Sequence, residues 1–219
     1  MRPVVAIVGR PNAGKSTLMN ALLGEHLSIV TPLAQTTWVP VQGILSRGTS
    51  DSGYQMIFLD TPGLLSDPAS LIHESLLEAV AGGIREADVV LLLLDPTRPV
   101  RPEERETLGR AAQGRGRPLV VAVNKCDVAA EVAIERECAW ARETLGSEPL
   151  RISAAAGDGI RDLEARLAAA LPEGPFLFPE DEIATAPVRF FVAELVREAI
   201  FELLTDELRC SVRPKVEAF

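Results

Sequence analysis

Gly9, Arg10, Pro11, Asn12, Ala13, Gly14, Lys15 and Ser16 read as G-x-x-x-x-G-K-S, a spacing that lets backbone amides wrap around phosphates. The glycines allow successive N–H groups to curl inward, and a helix opening at Lys15 adds the positive end of its dipole. Lys15 is then placed to reach β- and γ-phosphates, and the Ser16 hydroxyl to ligate Mg2+, with Thr17 beside it in the first turn. The motif follows an apolar run, Val4–Val8, and opens a helical pattern, Lys15–Leu23. That context separates a phosphate-binding loop from a chance glycine turn.

Three more motifs follow in order. Asp60, Thr61, Pro62 and Gly63, then Leu64, close a third apolar run. An aspartate there can hold Mg2+ directly or through water, and the Gly63 N–H can sense a γ-phosphate. Asn124, Lys125, Cys126 and Asp127 follow another buried run. The Asp127 carboxylate can accept from the N1–H and 2-amino group of guanine, donors that adenine does not offer on that edge. An unpaired buried carboxylate is the penalty for the wrong base, on the order of 10⁴ in discrimination. The Lys125 stem can lie along the ring, while Cys126 reads as filler. Ser153, Ala154 and Ala155 come next, with backbone able to meet guanine O6. Between the first two motifs lie Gln35, Thr36 and Thr37. A threonine here can complete the magnesium shell while γ-phosphate is bound and let go on hydrolysis. Thr37 is the first candidate and Thr36 the second, although two strand-leading threonines would look the same. The set predicts a protein that binds GTP and GDP with Mg2+ and hydrolyses GTP, its metal ligands Ser16, Thr37 and Asp60.

The elements that must position these residues alternate. Strands are expected over Val4–Val8, Val39–Leu45, Tyr54–Asp60, Val89–Asp95, Leu119–Asn124 and Leu150–Ser153. Helices are expected over Lys15–Leu23, Leu71–Ile84, Glu103–Ala112, Glu131–Leu145 and Ile160–Leu171. The runs from 89, 119 and 150 are continuously apolar, as parallel strands covered on both faces should be. Ser46–Gly53, rich in glycine and serine, suits a hairpin with an antiparallel edge strand. The expectation is an α/β fold with a mostly parallel six-stranded sheet and helices on both sides.

Pro172, Gly174, Pro175 and Pro179 then interrupt any helix. Residues 1–172 read as the nucleotide-binding domain, 173–187 as a linker, and 188–219 as the start of a truncated second domain. Its helix carries Val192, Leu195, Val196, Ala199, Ile200 and Leu203 at helical spacing. A strand-like stretch, Ser211–Phe219, ends the chain, and these two elements are too few for a core of their own.

Bulk properties narrow the class. Net charge is −9, against a general grip on nucleic-acid phosphates. Arg98–Arg117 holds six arginines against three glutamates, which reads more simply as a solvated helix and turn than as a basic patch. Cys126, Cys138 and Cys210 are far apart, and with His26 and His73 show no metal spacing, so reduced cysteines and no disulfide partner are expected. No stretch approaches the roughly 20 apolar residues of a membrane helix, and the N-terminus enters a strand at once. A soluble cytoplasmic protein without signal peptide is the expectation.

Ala34-Gln35-Thr36-Thr37, Asp60-Thr61-Pro62-Gly63-Leu64 and the later Phe178-Pro-Glu-Asp181, Arg189-Phe-Phe191 and Glu194-Leu-Val-Arg197-Glu198 resemble the Era family within the translation-factor-related GTPases. The post-linker segment carries most of that resemblance, because related GTPases lack it. The resemblance implies a Ras-like G domain followed by a KH-type RNA-binding domain. It also implies partners in small-subunit ribosomal RNA and the pre-ribosomal subunit, and peripheral association with the inner face of the cell membrane. Two features depart from the pattern. No glycine follows Gly174, so the Gly-x-x-Gly loop of a KH domain is not in this chain. Trp38 stands where the family has an arginine. Leu64 occupies the place of the glutamine that orients water in many GTPases, which predicts slow hydrolysis without other help. In related GTPases with this loop, the asparagine corresponding to Asn12 helps bind K+ near the phosphates. Here Asn12 could do that or simply shape the loop. Other readings are a nucleotide-binding module with negligible hydrolysis, or a related GTPase of tRNA modification or large-subunit assembly.

Overall fold

β1 (Val4–Gly9) is buried at every residue, as an apolar strand is when both its faces carry helices. The computed structural model describes residues 3–25, 27, 41–49, 51–61, 63, 82, 85–112, 116–203, 214 and 216. Further strands are β2 (Val41–Arg47), β3 (Tyr54–Asp60), β4 (Val89–Leu94), β5 (Leu119–Val123) and β6 (Leu150–Arg151). Among the described residues they form one six-stranded sheet ordered β2–β3–β1–β4–β5–β6. All neighbours run parallel except β2, which pairs antiparallel with β3 from Val41 opposite Asp60 to Arg47 opposite Tyr54. The hairpin read from Ser46–Gly53 is therefore present. The last strand is shorter than expected, because the Ser153 N–H leaves the ladder for Asp158 O at 3.0 Å and starts a loop.

The helices are α1 (Lys15–Leu23), α2 (Pro102–Ala112), α3 (Glu131–Leu145), α4 (Ile160–Ala170) and α5 (Val188–Leu203). Successive β1 side chains point to opposite faces. Val5 and Ile7 join Leu18, Leu22, Leu163 and Leu167 of α1 and α4. Val4, Ala6 and Val8 join Leu108, Ile134 and Cys138 of α2 and α3. α2 starts on Pro102 with Glu103 and Glu104 in its first turn and Arg110 in its last, each matched to the helix dipole.

The linker stretch proves to be docked along the sheet. Leu177 and Phe178 N–H donate to Gln55 Oε1 at 2.8 and 3.1 Å, and Gln55 Nε2 donates to Phe178 O at 3.0 Å. A glutamine amide has the donor and acceptor of a peptide group, so a buried one serves as a pairing partner for passing backbone. Farther on, Ile44 N–H donates to Ile183 O at 2.8 Å and Gly43 bridges Ala184. Residues 177–184 thus form a strap that covers the open edge of β2.

α5 forms where expected, but its body-facing residues differ from the expected stripe. Phe190 and Phe191 pack against the α1/α4 face, ring centroids 5.4 Å apart and edge-on, while Leu195, Val196 and Leu203 are 51%, 46% and 82% exposed. Two aromatic rings in the first turn bring enough apolar area to fix the docking there. Thr36, Thr37, Trp38, Pro62, Leu64, most of Leu71–Ile84 and most of the strand expected over 211–219 lie outside the described residues.

Candidate nucleotide-binding site

Strand register gathers the motifs at one edge of the sheet. Ile7 lies opposite Asp60, Gly9 opposite Leu93, and Leu94 opposite Val123. The loops after β1, β3, β5 and β6 therefore emerge together at the carboxyl ends of parallel strands, where open α/β sheets bind ligands. α1 opens at Gly14, whose φ is 93°, with no side-chain cap and no acid in its first turn. The helix thus turns the positive end of its dipole to the loop, an arrangement suited to an anion. Glycine is required at two points. A Cβ on Gly14 would overlap Asn124 Nδ2, and one on Gly63 would lie 2.6 Å from Pro11 N. The Gly63 backbone thus rests directly on the phosphate loop.

Lys15 is 7% exposed, and its Nζ donates to Arg10 O at 3.1 Å. Burial pulls its pKa below 10.5, with the Asp60 charge working the other way. Ser16 Oγ donates to Asp60 Oδ2 at 2.6 Å, and Asp60 is wholly buried. Thr61 Oγ1 donates to Ile7 O at 2.7 Å, which fixes the Asp60 turn onto β1. A hydroxyl and a carboxylate side by side are hard oxygen donors, and Mg2+ is usually held by one or two such groups together with substrate phosphates and water. The residues fit that ion. Among the described residues there is no cluster of three or more acidic, histidine or cysteine side chains able to hold a metal on their own.

The base-reading motif is braced from behind. Asn124 is 2% exposed; its Nδ2 donates to Ala13 O at 2.8 Å and its Oδ1 accepts from Ala154 N–H at 2.9 Å. One amide thereby joins three motifs. Lys125 Nζ donates to Asn12 O and to Asp95 Oδ2, both at 2.6 Å. Asn12 and Lys125, at φ 61° and 60°, are the non-glycine residues with positive φ among those described. Asp127 and Ala155 are exposed, at the open side where a base would sit. Ser153 Oγ accepts from Ala156 N–H at 3.0 Å and shapes its loop.

Sequence reasoning missed two members. Asp95 ends the β4 run, and an acid after an apolar strand, at the edge where the other motifs lie, was the available signal. Glu104 receives Arg10 at 3.3 Å and the Arg101 N–H at 2.9 Å, tying the phosphate loop to α2. Burial pushes the Glu104 carboxyl up, but the Arg101 N–H and the Arg10 charge override it and hold it below the ordinary carboxylate value. Such a tertiary pair leaves no local signature. Three of the six arginines of 98–117 are paired with glutamates: Arg101 with Glu104, Arg105 with Glu137, and Arg110 with Glu106.

A mixed sheet of this order, with its phosphate loop after the first strand and its base-reading loop after the fifth, defines a Ras-like P-loop G domain. A family model described as 50S ribosome-binding GTPase matches residues 4–125. GTPase Era of Afipia carboxidovorans is 37% identical over 205 residues, 93% of this chain and 65% of that protein. GTPase Era of Geobacter metallireducens is 36% identical over 98% of this chain and 70% of its own. Among solved structures, an Aquifex aeolicus Era variant bound to GDP and AlF4− superposes with a TM-score of 0.85 at 36% identity, covering 95% of this chain and 69% of that one. Era in complex with MgGDPNP and a segment of 16S ribosomal RNA gives 0.84 at 36% identity, covering 96% and 71%. The chain belongs to the Era family of GTPases. It spans about 65% of the length of the first curated relatives it matches.

Proposed function

We propose that the chain binds GTP and GDP with Mg2+, hydrolyses GTP to GDP and phosphate, and acts as a nucleotide switch in maturation of the small ribosomal subunit. The observation that carries this is the buried Lys15–Ser16–Asp60 group, joined to the base-reading loop by Asn124. The amides of Gly9–Lys15 cradle the phosphates, and the Lys15 ammonium spans β and γ. Arg10 and Pro11 set the loop against α2 and Gly63, so their part is to hold its shape. Ser16, Asp60 and Thr37 are the residues that would hold Mg2+, which supplies charge neutralisation on the phosphate oxygens when bound. Gly63 directs its N–H toward the γ-phosphate, flanked by Thr61, Pro62 and Leu64. Asp127 accepts from guanine. With the Ala154 N–H given to Asn124, Ala155 is the residue left to meet O6.

Asn12 is assigned a second task, holding K+ beside the phosphates to compensate for Leu64. Hydrolysis equal in Na+ and K+ buffers would end that assignment. Residues 1–172 are proposed as the G domain, 173–187 as the connecting strap, and 188–219 as the opening of a KH-type domain. The relative solved with 16S ribosomal RNA supports small-subunit rRNA as a partner. The protein is placed in the cytoplasm, with peripheral membrane contact as part of the same reading. Among the described residues, no helix is long and apolar enough to cross a membrane.

Titration with a fluorescent GDP analogue, followed by phosphate release from GTP, tests the reading. Lys15→Ala should abolish tight binding, and retained tight binding would contradict the assignment. Binding without turnover would leave a nucleotide-binding module.

A further inference from the structure

Two loops that serve different parts of the nucleotide, Arg10–Gly14 after β1 and Asn124–Asp127 after β5, meet at one ammonium. Lys125 Nζ donates to Asn12 O at 2.6 Å and to Asp95 Oδ2 at 2.6 Å. Both backbone ends of this link, Asn12 and Lys125, are left-handed, a conformation that L side chains avoid. Each therefore needs a partner to hold it. A lysine stem cannot fix its own head, because its rotamers are free and its charge is a point without directional preference. Asp95 can. Its side chain is 2% exposed, and its Oδ1 is anchored by Thr97 N–H at 2.9 Å and Thr97 Oγ1 at 2.5 Å. The carboxylate is oriented by its own turn at the end of β4, and the ammonium takes its place from that.

We infer that Asp95 is a positioning residue for the phosphate loop: acting through Lys125, it holds the Asn12 carbonyl and the inward curl of the amides that follow. This rests on the guanine-nucleotide reading above. Asp95 reaches the site through the ammonium, and touches neither base nor phosphate in its own right. Its influence should fall on phosphate affinity, while Asp127 keeps its discrimination of the base.

Asp95→Asn is the informative change. An asparagine can keep its oxygen toward Thr97 and turn an NH2 group toward the ammonium, which removes the link at nearly constant shape. Lys125→Met, which keeps the stem and removes the head, breaks the same link from the other side. Dissociation constants for GDP and inosine 5′-diphosphate, which lacks the 2-amino group, are measured on the full chain for wild type, both variants and the double variant. Asp95→Asn is expected to weaken GDP about tenfold, the loss of one charge-assisted hydrogen bond, and Lys125→Met by a similar factor. The ratio of GDP to inosine diphosphate affinity stays within about twofold of wild type, and the double variant is no weaker than about twofold beyond Lys125→Met alone.

Three outcomes overturn the inference: unchanged GDP affinity in either variant, additive losses in the double variant, or a collapse of the GDP-to-inosine-diphosphate ratio. The last would show a general loosening of the base loop. If Asp95→Asn fails to fold, Thr97→Val, which removes the hydroxyl that orients Asp95 Oδ1, takes its place: weakened GDP binding with an unchanged GDP-to-inosine-diphosphate ratio is expected, and unchanged GDP affinity overturns the inference. A wild-type chain with no affinity for GDP would instead sink the guanine-nucleotide reading and this inference with it.

Discussion

Replacing Asn124 with Ala removes one side chain and leaves two buried backbone groups without their partner. The Ala13 carbonyl loses its 2.8 Å bond and the Ala154 N–H its 2.9 Å bond, and Ala13 and Ala154 are 0% and 6% exposed. Each unsatisfied buried group costs about 1–3 kcal/mol, so the pair gives a loss of roughly 2–6 kcal/mol. For a chain of this size, 1 kcal/mol moves Tm by about 2–4 °C, which predicts a drop of roughly 4–24 °C. The measurement is a thermal melt of the nucleotide-free protein, followed by urea unfolding to check that the m-value is unchanged. An internal brace acts in the free protein, so the loss must be present before any ligand is added. A melt within about 1 °C of wild type, combined with a collapse in GDP affinity, would refute the brace. It would show that Asn124 acts on the ligand directly.

Three further outcomes follow from the same geometry. Gly63→Ala puts a Cβ 2.6 Å from Pro11 N and 2.7 Å from Pro11 Cα, backbone that cannot swing aside, and should slow single-turnover GTP hydrolysis about a hundredfold. A rate within threefold of wild type would mean that the two loops separate freely. Lys15 is held below its ordinary 10.5 by burial in the free protein, and phosphates would raise it again. Binding then takes up a proton where the free lysine has lost one, so GDP affinity should hold near neutrality and fall as pH climbs through the range below 10.5. Calorimetry in two buffers of different ionisation enthalpy reads that uptake, and pH-independent affinity up to 10.5 contradicts it. Gln55→Leu deprives Leu177 and Phe178 of their acceptor; hydrogen exchange at those two amides should quicken at least about tenfold, and unchanged protection would show the strap held by other contacts.

The sheet was legible because its strands carry their own signal. Val89–Leu94 has no polar residue, and only a strand covered on both faces can bury it. The phosphate loop and its context were equally plain, since backbone geometry there demands glycine and the chemistry demands Lys15 and Ser16. The bracing was harder to read. Asn124 looked like part of the base reader, yet its amide spends both its oxygen and its nitrogen on backbone from other motifs. Asp95 and Glu104 act through partners 30 and 94 residues away in sequence; an acid closing an apolar strand hinted at the first, and no local pattern marked the second. The proline-rich segment after residue 172 reads as a free linker because proline only reports where helices end. The amide of Gln55, more than a hundred residues earlier, is what docks it. For α5 the periodic stripe was real in sequence, but two phenylalanines in the first turn decided which side met the body.

The strap has a mechanical meaning. Ile183 and Ala184 are bonded to Ile44 and Gly43 of β2, and β2 begins at Val41, four residues after Thr37. Thr185 still reaches Gln42 Oε1 at 3.2 Å, and α5 starts at Val188 after Ala186 and the stiff Pro187. The base of α5 is geared to β2 with almost no slack between them. A two-residue slip of β2 along its neighbour would carry the root of the helix by the same stroke, about 6.6 Å. What leaves the body at residue 188 thus takes its bearing from the edge strand.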